Sequence, residues 1–212
     1  MKFLKIPEAT IKRLSVYARY LSNLDAQDRK VISSAELAEE CGMNAAQIRK
    51  DLAYFGEFGV RGVGYYVKDL LFDIRRILGL NKSWRVALVG VGRLGEALLS
   101  YSNFPKQGYH FVAAFDVDPA KIGRPVGPAN LEILPLSELP RVVAERGVEI
   151  GIITAPASAA QEVADRLVDA KVTGILNFAP ARITVPEGVI VKHVDLTQEF
   201  DNLAYLMVSR QG

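Results

Sequence analysis

The sequence predicts an α/β chain in two parts, a small helical part followed by a doubly wound parallel sheet that ends in one more helix. Three observations carry this. Up to about Leu80 apolar residues recur at helical spacing, with glycines gathered only near the end. From Trp84 onward, apolar strand-like runs alternate with helical segments, the pattern of parallel strands joined by helices. The two patterns meet at "GLNKSW", a cluster of turn formers that reads as a short linker.

The first element is "PEATIKRLSVYARYLSNL", where Ile11, Leu14, Ala18 and Leu21 share one face at three- and four-residue steps. Pro7 is tolerated in its first turn. "SSAELAEECG" follows, with Ser33 or Ser34 as N-cap and Gly42 as stop, and "NAAQIRKDLAYF" restarts a helix from Asn44. Ala38 allows close helix crossing, Gly42 can take a positive φ and Ile48 turns back into the core, which is the spacing of a helix-turn-helix. The second helix of such a pair enters the major groove. Its outward positions are Ala45, Ala46, Gln47, Arg49 and Lys50: two small residues that permit close approach and three that reach base edges or phosphates. A small helical bundle with an ordinary basic helix fits the same residues.

"EFGVRGVGYYVKDLL" then places Gly59, Gly62 and Gly64 between β-prone pairs. No apolar strand precedes it to make a nucleotide crossover, and positive-φ turn residues suit a hairpin. It reads as the wing of a winged helix, with Arg61 at the tip directed to the minor groove and Tyr65 and Tyr66 packing the hairpin or touching the DNA backbone.

The second part opens with strand "RVALVG", turn "VGRLG", helix "EALLSYSNF" and strand "HFVAAFD", a βαβ unit. Further strands are "LEILP", "VEIGIITAP", "VTGILNFAP" and "GVIVKHV", with "SELPRVVAERG" and "AAQEVADRLVDA" as intervening helices. Nearly continuous apolar strands predict a sheet covered on both faces, hence a Rossmann sheet. Gly90 makes the turn, Gly92 lets backbone approach a pyrophosphate, and Gly95 brings helix against strand. Gly90, Val91, Gly92, Arg93, Leu94 and Gly95 are therefore candidate cofactor contacts. Asp116, 21 residues after Gly95, ends the second strand, where a carboxylate takes ribose hydroxyls and favours NAD(H) over NADP(H). Lys121 and Arg124 nearby are cations able to accept a 2′-phosphate. Thr154, Ala155, Pro156, Asn177 and Phe178 follow later strands and are candidates for the far side of the crevice, although ordinary turn chemistry also explains them.

In "VDLTQEFDNLAYLMVSR", Asp195 and Gln198 stand at capping-box spacing before a helix. Phe200, Leu203, Ala204, Tyr205, Leu206, Met207 and Val208 spread apolar surface around much of it, so it needs a partner, its own sheet or a second subunit. Helix-turn-helix proteins commonly read two half-sites as dimers, which favours the second subunit.

Composition narrows the chemistry. Half of the 212 residues are apolar, enough for a core, and no apolar run reaches the roughly 18 residues of a membrane span. "MKFLKIPEATIKRL" carries no signal-peptide apolar segment, so the expectation is cytoplasmic. Cys41 is the only cysteine, which rules out an intramolecular disulfide and a multi-cysteine zinc site; with two histidines, no metal site is expected. Up to residue 80 there are 13 basic and 10 acidic residues, and 13 and 14 beyond, so a small positive excess sits where DNA binding would place it. No catalytic residues are assigned. A dehydrogenase needs a substrate domain and an acid or base at the nicotinamide, and His110, His193, Tyr101 and Asp195 form no recognisable set.

Taken together, "KIPEATIKRLSVYARYL", "SSAELAEECGMNAAQIRKDLAYFGEFGVRGVGY", "VALVGVGRLGEALLSY", "FVAAFDVDPAKIG" and "DLTQEFDNLAYLM" resemble the Rex family of redox-sensing transcriptional repressors over nearly the whole chain. The resemblance implies a winged-helix domain over 1–80, a Rossmann NAD(H)-binding domain over 81–194 and a dimerisation helix over 195–212, swapped between subunits. It implies a homodimer that binds double-stranded operator DNA, responds to the NADH/NAD+ ratio and lets go when NADH binds, with NAD+ the competing oxidised form. Tyr101, Asp195 and Phe200 are expected to help read the nicotinamide. Two other readings stay open: a small NAD-dependent oxidoreductase with a helical oligomerisation module, and a CoA- or nucleotide-binding module of structural role.

Overall fold

The structure, a computed structural model, describes residues 6–209; residues 1–5 and 210–212, the outer ends of the expected first and last domains, lie outside the described residues. The chain separates into two compact units between Lys82 and Ser83.

In the first unit α1 (Glu8–Ala26) buries Leu14, Tyr17, Ala18, Leu21 and Leu24, while Ile11, expected on that face, sits at its exposed edge. The short strand β1 (Val31–Ile32) leads into α2 (Ser34–Cys41). Ser33 caps α2 in a reciprocal box: its hydroxyl accepts the Glu36 N–H (3.1 Å) and Glu36 accepts the Ser33 N–H (2.8 Å). Gly42 ends α2 at φ 61°, and Asn44 caps α3 (Ala45–Ala53) by accepting the Ala46 N–H. After α3 the chain makes its wing, then β2 (Tyr65–Tyr66) and α4 (Val67–Ile77). β2 pairs antiparallel with β1, Val31 opposite Tyr66. Ile48 and Leu52 of α3 close a core with α1 and with Val67, Leu70, Leu71 and Ile74 of α4.

The wing is shorter than a hairpin. Its ladder is a single antiparallel bridge between Val60 and Gly64, and Gly59, Gly62 and Gly64 have φ of 83°, 81° and 107°. Backbone so often at positive φ cannot extend on both sides, so turn replaces ladder.

The second unit runs β3 (Trp84–Val89), α5 (Arg93–Leu99), α6 (Asn103–Lys106), β4 (Tyr109–Asp116), β5 (Pro125–Val126), β6 (Leu131–Pro135), α7 (Leu139–Arg146), β7 (Ile150–Ile153), α8 (Ala160–Asp169), β8 (Gly174–Asn177), β9 (Ile190–His193) and α9 (Leu196–Ser209). The sheet order is β5-β6-β4-β3-β7-β8-β9, all parallel except the edge pair β5–β6. Its six parallel strands thus follow the 3-2-1-4-5-6 order of a Rossmann sheet, with the reversal between β3 and β7.

Cover of both faces, expected from the apolar strands, holds for one face and for half of the other. Ala87, Val89, Ile153 and Ile175 pack under α7 and α8. On the opposite face Val86, Leu88 and Ile152 meet Leu98 and Leu99 of α5. Beyond them β8 passes to β9 without a helix, and a groove of about 480 Å³ runs over Phe111, Ile150, Ile152, Leu176 and Ile190. α9 does not fill it. Every described residue of α9 is exposed, Phe200 to 71% and Tyr205 to 72%, so the chain's own sheet is not its partner. Asp195 caps α9 by accepting the Thr197 N–H at 2.9 Å.

Candidate functional site

The glycine turn lies where β3 and β7 diverge. Gly90, at φ 101°, has no room for a side chain: a Cβ there would stand 2.8 Å from the Thr154 carbonyl carbon. A Cβ on Gly95 would come within 2.4 Å of the Gly90 carbonyl oxygen, so the start of α5 sits directly on the turn. Thr154, just past β7, ties the two strand ends together. Its hydroxyl donates to the Gly90 carbonyl (2.7 Å) and its N–H to the Val89 carbonyl (2.9 Å). Gly92, before the first turn of α5, faces open space.

Asp116 closes this region from β4 and is buried. Its Oδ2 accepts the Val91 N–H (2.8 Å) and the Lys121 ammonium (2.9 Å); its Oδ1 accepts the N–H groups of Val117 (2.8 Å) and Asp118 (2.9 Å). Burial pushes this carboxyl up, but the Asp118 N–H, the Lys121 ammonium and the Val91 N–H outweigh it and hold the group below the usual carboxylate range. Asp116 is therefore a fixed anion that ties the glycine turn to the second strand.

A cleft of about 540 Å³ opens over these residues, within the roughly 300–1,000 Å³ of small-molecule sites. It brings together Gly90, Gly92, Leu94, Asp116, Thr154, Ala155, Pro156 and Phe178 from the sequence-derived candidates. Val91 and Gly95 are buried behind it, and Arg93 is exposed at the first residue of α5. Two candidates lie elsewhere. Asn177 is fully buried, accepting the Ala179 N–H (3.0 Å), donating to the Ala181 carbonyl (2.8 Å) and facing His193 Nδ1 at 3.1 Å, so it shapes the loop after β8 from beneath. Tyr101, half exposed beyond α5, stands edge-on to Phe104 with ring centres 5.0 Å apart and does not line the cleft. Leu136, Glu162 and Val163 line it unforeseen. Leu136 and Val163 read in sequence as ordinary core positions and Glu162 as a solvated helix acid.

In the first unit, an open cleft of about 730 Å³ lies between α3 and the wing, with Arg49 and Arg61 in its lining. Arg49 is steered by α2, donating from Nη1 to the Ser34 hydroxyl at 2.8 Å. Ala46, Lys50 and Arg61 are exposed, and Ala45 is half-buried. Gln47 differs from a freely solvated reader: its amide donates to Asp51 at 2.9 Å. Asp51, fully buried, also accepts from Thr10 (3.1 Å), Tyr17 (2.8 Å) and the fork of Arg13 (2.6 and 2.8 Å). Desolvation pushes Asp51 up, yet the bonds from Arg13, Tyr17, Gln47 and Thr10 bring it down to about 2.

No helix among the described residues is long and apolar enough to cross a membrane, and no cluster of metal-ligating side chains occurs among them.

Comparison with known proteins agrees with this division. Residues 5–53 match a family model described as "Putative DNA-binding protein N-terminus", and residues 81–181 match one described as "CoA binding domain". A curated relative from Syntrophobacter fumaroxidans, named redox-sensing transcriptional repressor Rex, is 58% identical over 97% of both chains. A solved structure of RSP in complex with β-NAD+ and operator DNA superposes with a TM-score of 0.91 at 37% identity, covering 97% of this chain and 94% of that one. RSP in complex with β-NADH superposes at 0.86 with 35% identity, covering 98% and 96%. The curated relative is named a repressor and not an enzyme, in agreement with the missing catalytic set.

Proposed function

The chain belongs to the Rex family of redox-sensing transcriptional repressors, and on that premise we propose that it binds double-stranded operator DNA as a homodimer in the cytoplasm and releases it when NADH binds. The observation that carries this reading is the presence, in one chain, of a crevice at the reversal point of a Rossmann sheet and of a helix-turn-helix with exposed Lys50, followed by a wing with exposed Arg61.

Residues 1–80 form the winged-helix domain in this reading, 81–194 the NAD(H)-binding domain and 195–212 the dimerisation helix. Gly90 makes the turn against Thr154 and Gly92 leaves backbone open to a pyrophosphate at the start of α5, with Val91, Arg93, Leu94 and Gly95 shaping the same loop. Asp116, with its negative charge fixed, sits at the ribose end and disfavours a 2′-phosphate, so NAD(H) is taken over NADP(H). Thr154, Ala155, Pro156, Asn177 and Phe178 form or support the far wall. NADH supplies an uncharged, reduced nicotinamide where NAD+ supplies a charged, planar one, and neither reacts. Tyr101, with Asp195 and Phe200, reads that difference in the assembled dimer.

On the DNA side, Arg49 and Lys50 contact bases or phosphates, Gln47 reads a base edge, Ala45 and Ala46 allow close approach, and Arg61 enters the minor groove. Dimerisation rests on the exposed apolar length of α9 and the uncovered groove of the sheet, two surfaces that one chain leaves unmatched. NADH moves the equilibrium only if the arrangement that lets go of DNA holds it more tightly than the arrangement that binds.

Electrophoretic shift of operator duplex, titrated with NADH and separately with NAD+, tests the reading. NADH is expected to release DNA at concentrations where NAD+ does not, and equal potency removes it.

A further inference from the structure

Asp51 is an acid buried within the helix that faces DNA. Its carboxylate is gripped from α1 by Thr10, Arg13 and Tyr17, three donors spaced over two turns, and from one turn earlier on α3 by the Gln47 amide. A buried ion pair adds little net stability over apolar packing of the same volume, so its recurring use is to specify one arrangement among several. Here it sets how α3 lies on α1. Of the five side chains, only Gln47 also belongs to the outward positions of α3, where Ala45 and Ala46 beside it carry nothing beyond Cβ.

A glutamine amide offers one oxygen and two hydrogens. With one hydrogen committed to Asp51, the oxygen and the second hydrogen remain, the pair that reads the N6 and N7 edge of an adenine. We propose that Asp51 is a positioning residue for Gln47: anchored to α1, it holds the carboxamide in the orientation that selects an adenine at one base pair of each half-site. This rests on the reading that the first unit binds duplex DNA.

Selection of the full chain, without NADH, on a pool of randomised duplexes followed by sequencing tests it. The unsubstituted chain enriches a two-fold motif; retention of no duplex overturns the DNA-binding reading itself, before any variant is compared. Given enrichment, Gln47→Ala flattens the preference at one adenine-containing base pair by about tenfold and leaves the others. Asp51→Asn flattens the same pair, and the double variant goes no further than either single one. A uniform loss of retained DNA with the preferences intact marks a structural role for Asp51 and overturns the proposal, as does an unchanged motif in Gln47→Ala. If Asp51→Asn does not fold by circular dichroism, Tyr17→Phe takes its place, since it withdraws one donor and keeps the ion pair. A partial loss at the same base pair then supports the proposal, and an unaltered preference overturns it.

Discussion

Asp51 and Asp116 are the buried acids among the described residues, one in each unit, and both are held anionic by donors that the fold brings to them. Such a group stabilises the folded state above its unfolded pKa, near 3.9, and the contribution disappears as pH falls through the folded value. For Asp51 that window runs from about 4 down to about 2, and the contribution is on the order of 2 kcal/mol. The resistance of the intact chain to urea should therefore fall from pH 6 to pH 2, and Asp51→Asn, which has nothing to titrate there, should show a shallower slope. An identical slope would mean that Asp51 is not the anion the geometry makes it. Gly95 gives a sharper single-residue case in the second unit. Gly95→Ala sets a methyl 2.4 Å from the Gly90 carbonyl, and overpacking of that kind costs about 1–3 kcal/mol. If the turn must yield, NADH affinity falls about tenfold or more while operator binding without NADH persists. Fluorescence titration of NADH beside a shift assay separates the two, and unaltered affinity would show that the turn does not need its present shape.

Among the elements, those with a local signal were legible and those defined by a distant partner were not. The capping residues Ser33 and Asn44, the left-handed Gly42 and the six parallel strands follow from patterns within a few residues of one another. β1 and β5 are two residues each, too short for any period, and exist because a strand elsewhere pairs with them. The α1 donors of the Asp51 cluster lie 34 to 41 residues from it, so in sequence Asp51 reads as a surface acid. Asn177 ends β8, as its place in the sequence indicates, but its orientation into the loop beneath depends on the Ala179, Ala181 and His193 contacts. The glycine turn and Asp116 of the cleft were legible because their spacing is local, whereas Leu136 and Val163 reach it only through the packing of α7 and α8. α9, apolar over much of its circumference in sequence, is exposed at every described residue in the structure. Phe200→Asp with Leu203→Asp removes two apolar side chains, each worth about 1.5–3 kcal/mol when buried, and introduces two charges. Sedimentation equilibrium should show the proposed dimer weakened by more than about 100-fold. An unchanged dimer would mean that α9 is not the subunit contact.

At the scale of the whole molecule, the division of the chain between Lys82 and Ser83 makes the coupling between units a measurable quantity. Each unit has its own apolar core, so neither the glycine turn nor α3 needs the other to hold its shape. In the proposed reading, communication passes through an equilibrium between two arrangements of the homodimer, one that grips DNA and one that grips NADH. Thermodynamic linkage imposes a condition on such an equilibrium that no choice of pathway can evade. For a homodimer that takes one duplex and two NADH, the factor by which saturating NADH weakens operator binding equals the factor by which saturating operator weakens the binding of both NADH together, the square of the per-site factor where the sites are alike. Coupling of about 1–3 kcal/mol, the usual span for allosteric proteins, corresponds to roughly 5–150-fold. Calorimetric titration of NADH into the chain, alone and with excess operator duplex, gives one factor, and titration of duplex with and without NADH gives the other. The duplex factor is expected to equal the square of the per-site NADH factor, with both well above one for NADH and near one for NAD+. If operator leaves NADH affinity untouched while NADH still releases DNA, the two ligands are not linked through one equilibrium, and release must come from dissociation or aggregation of the chain.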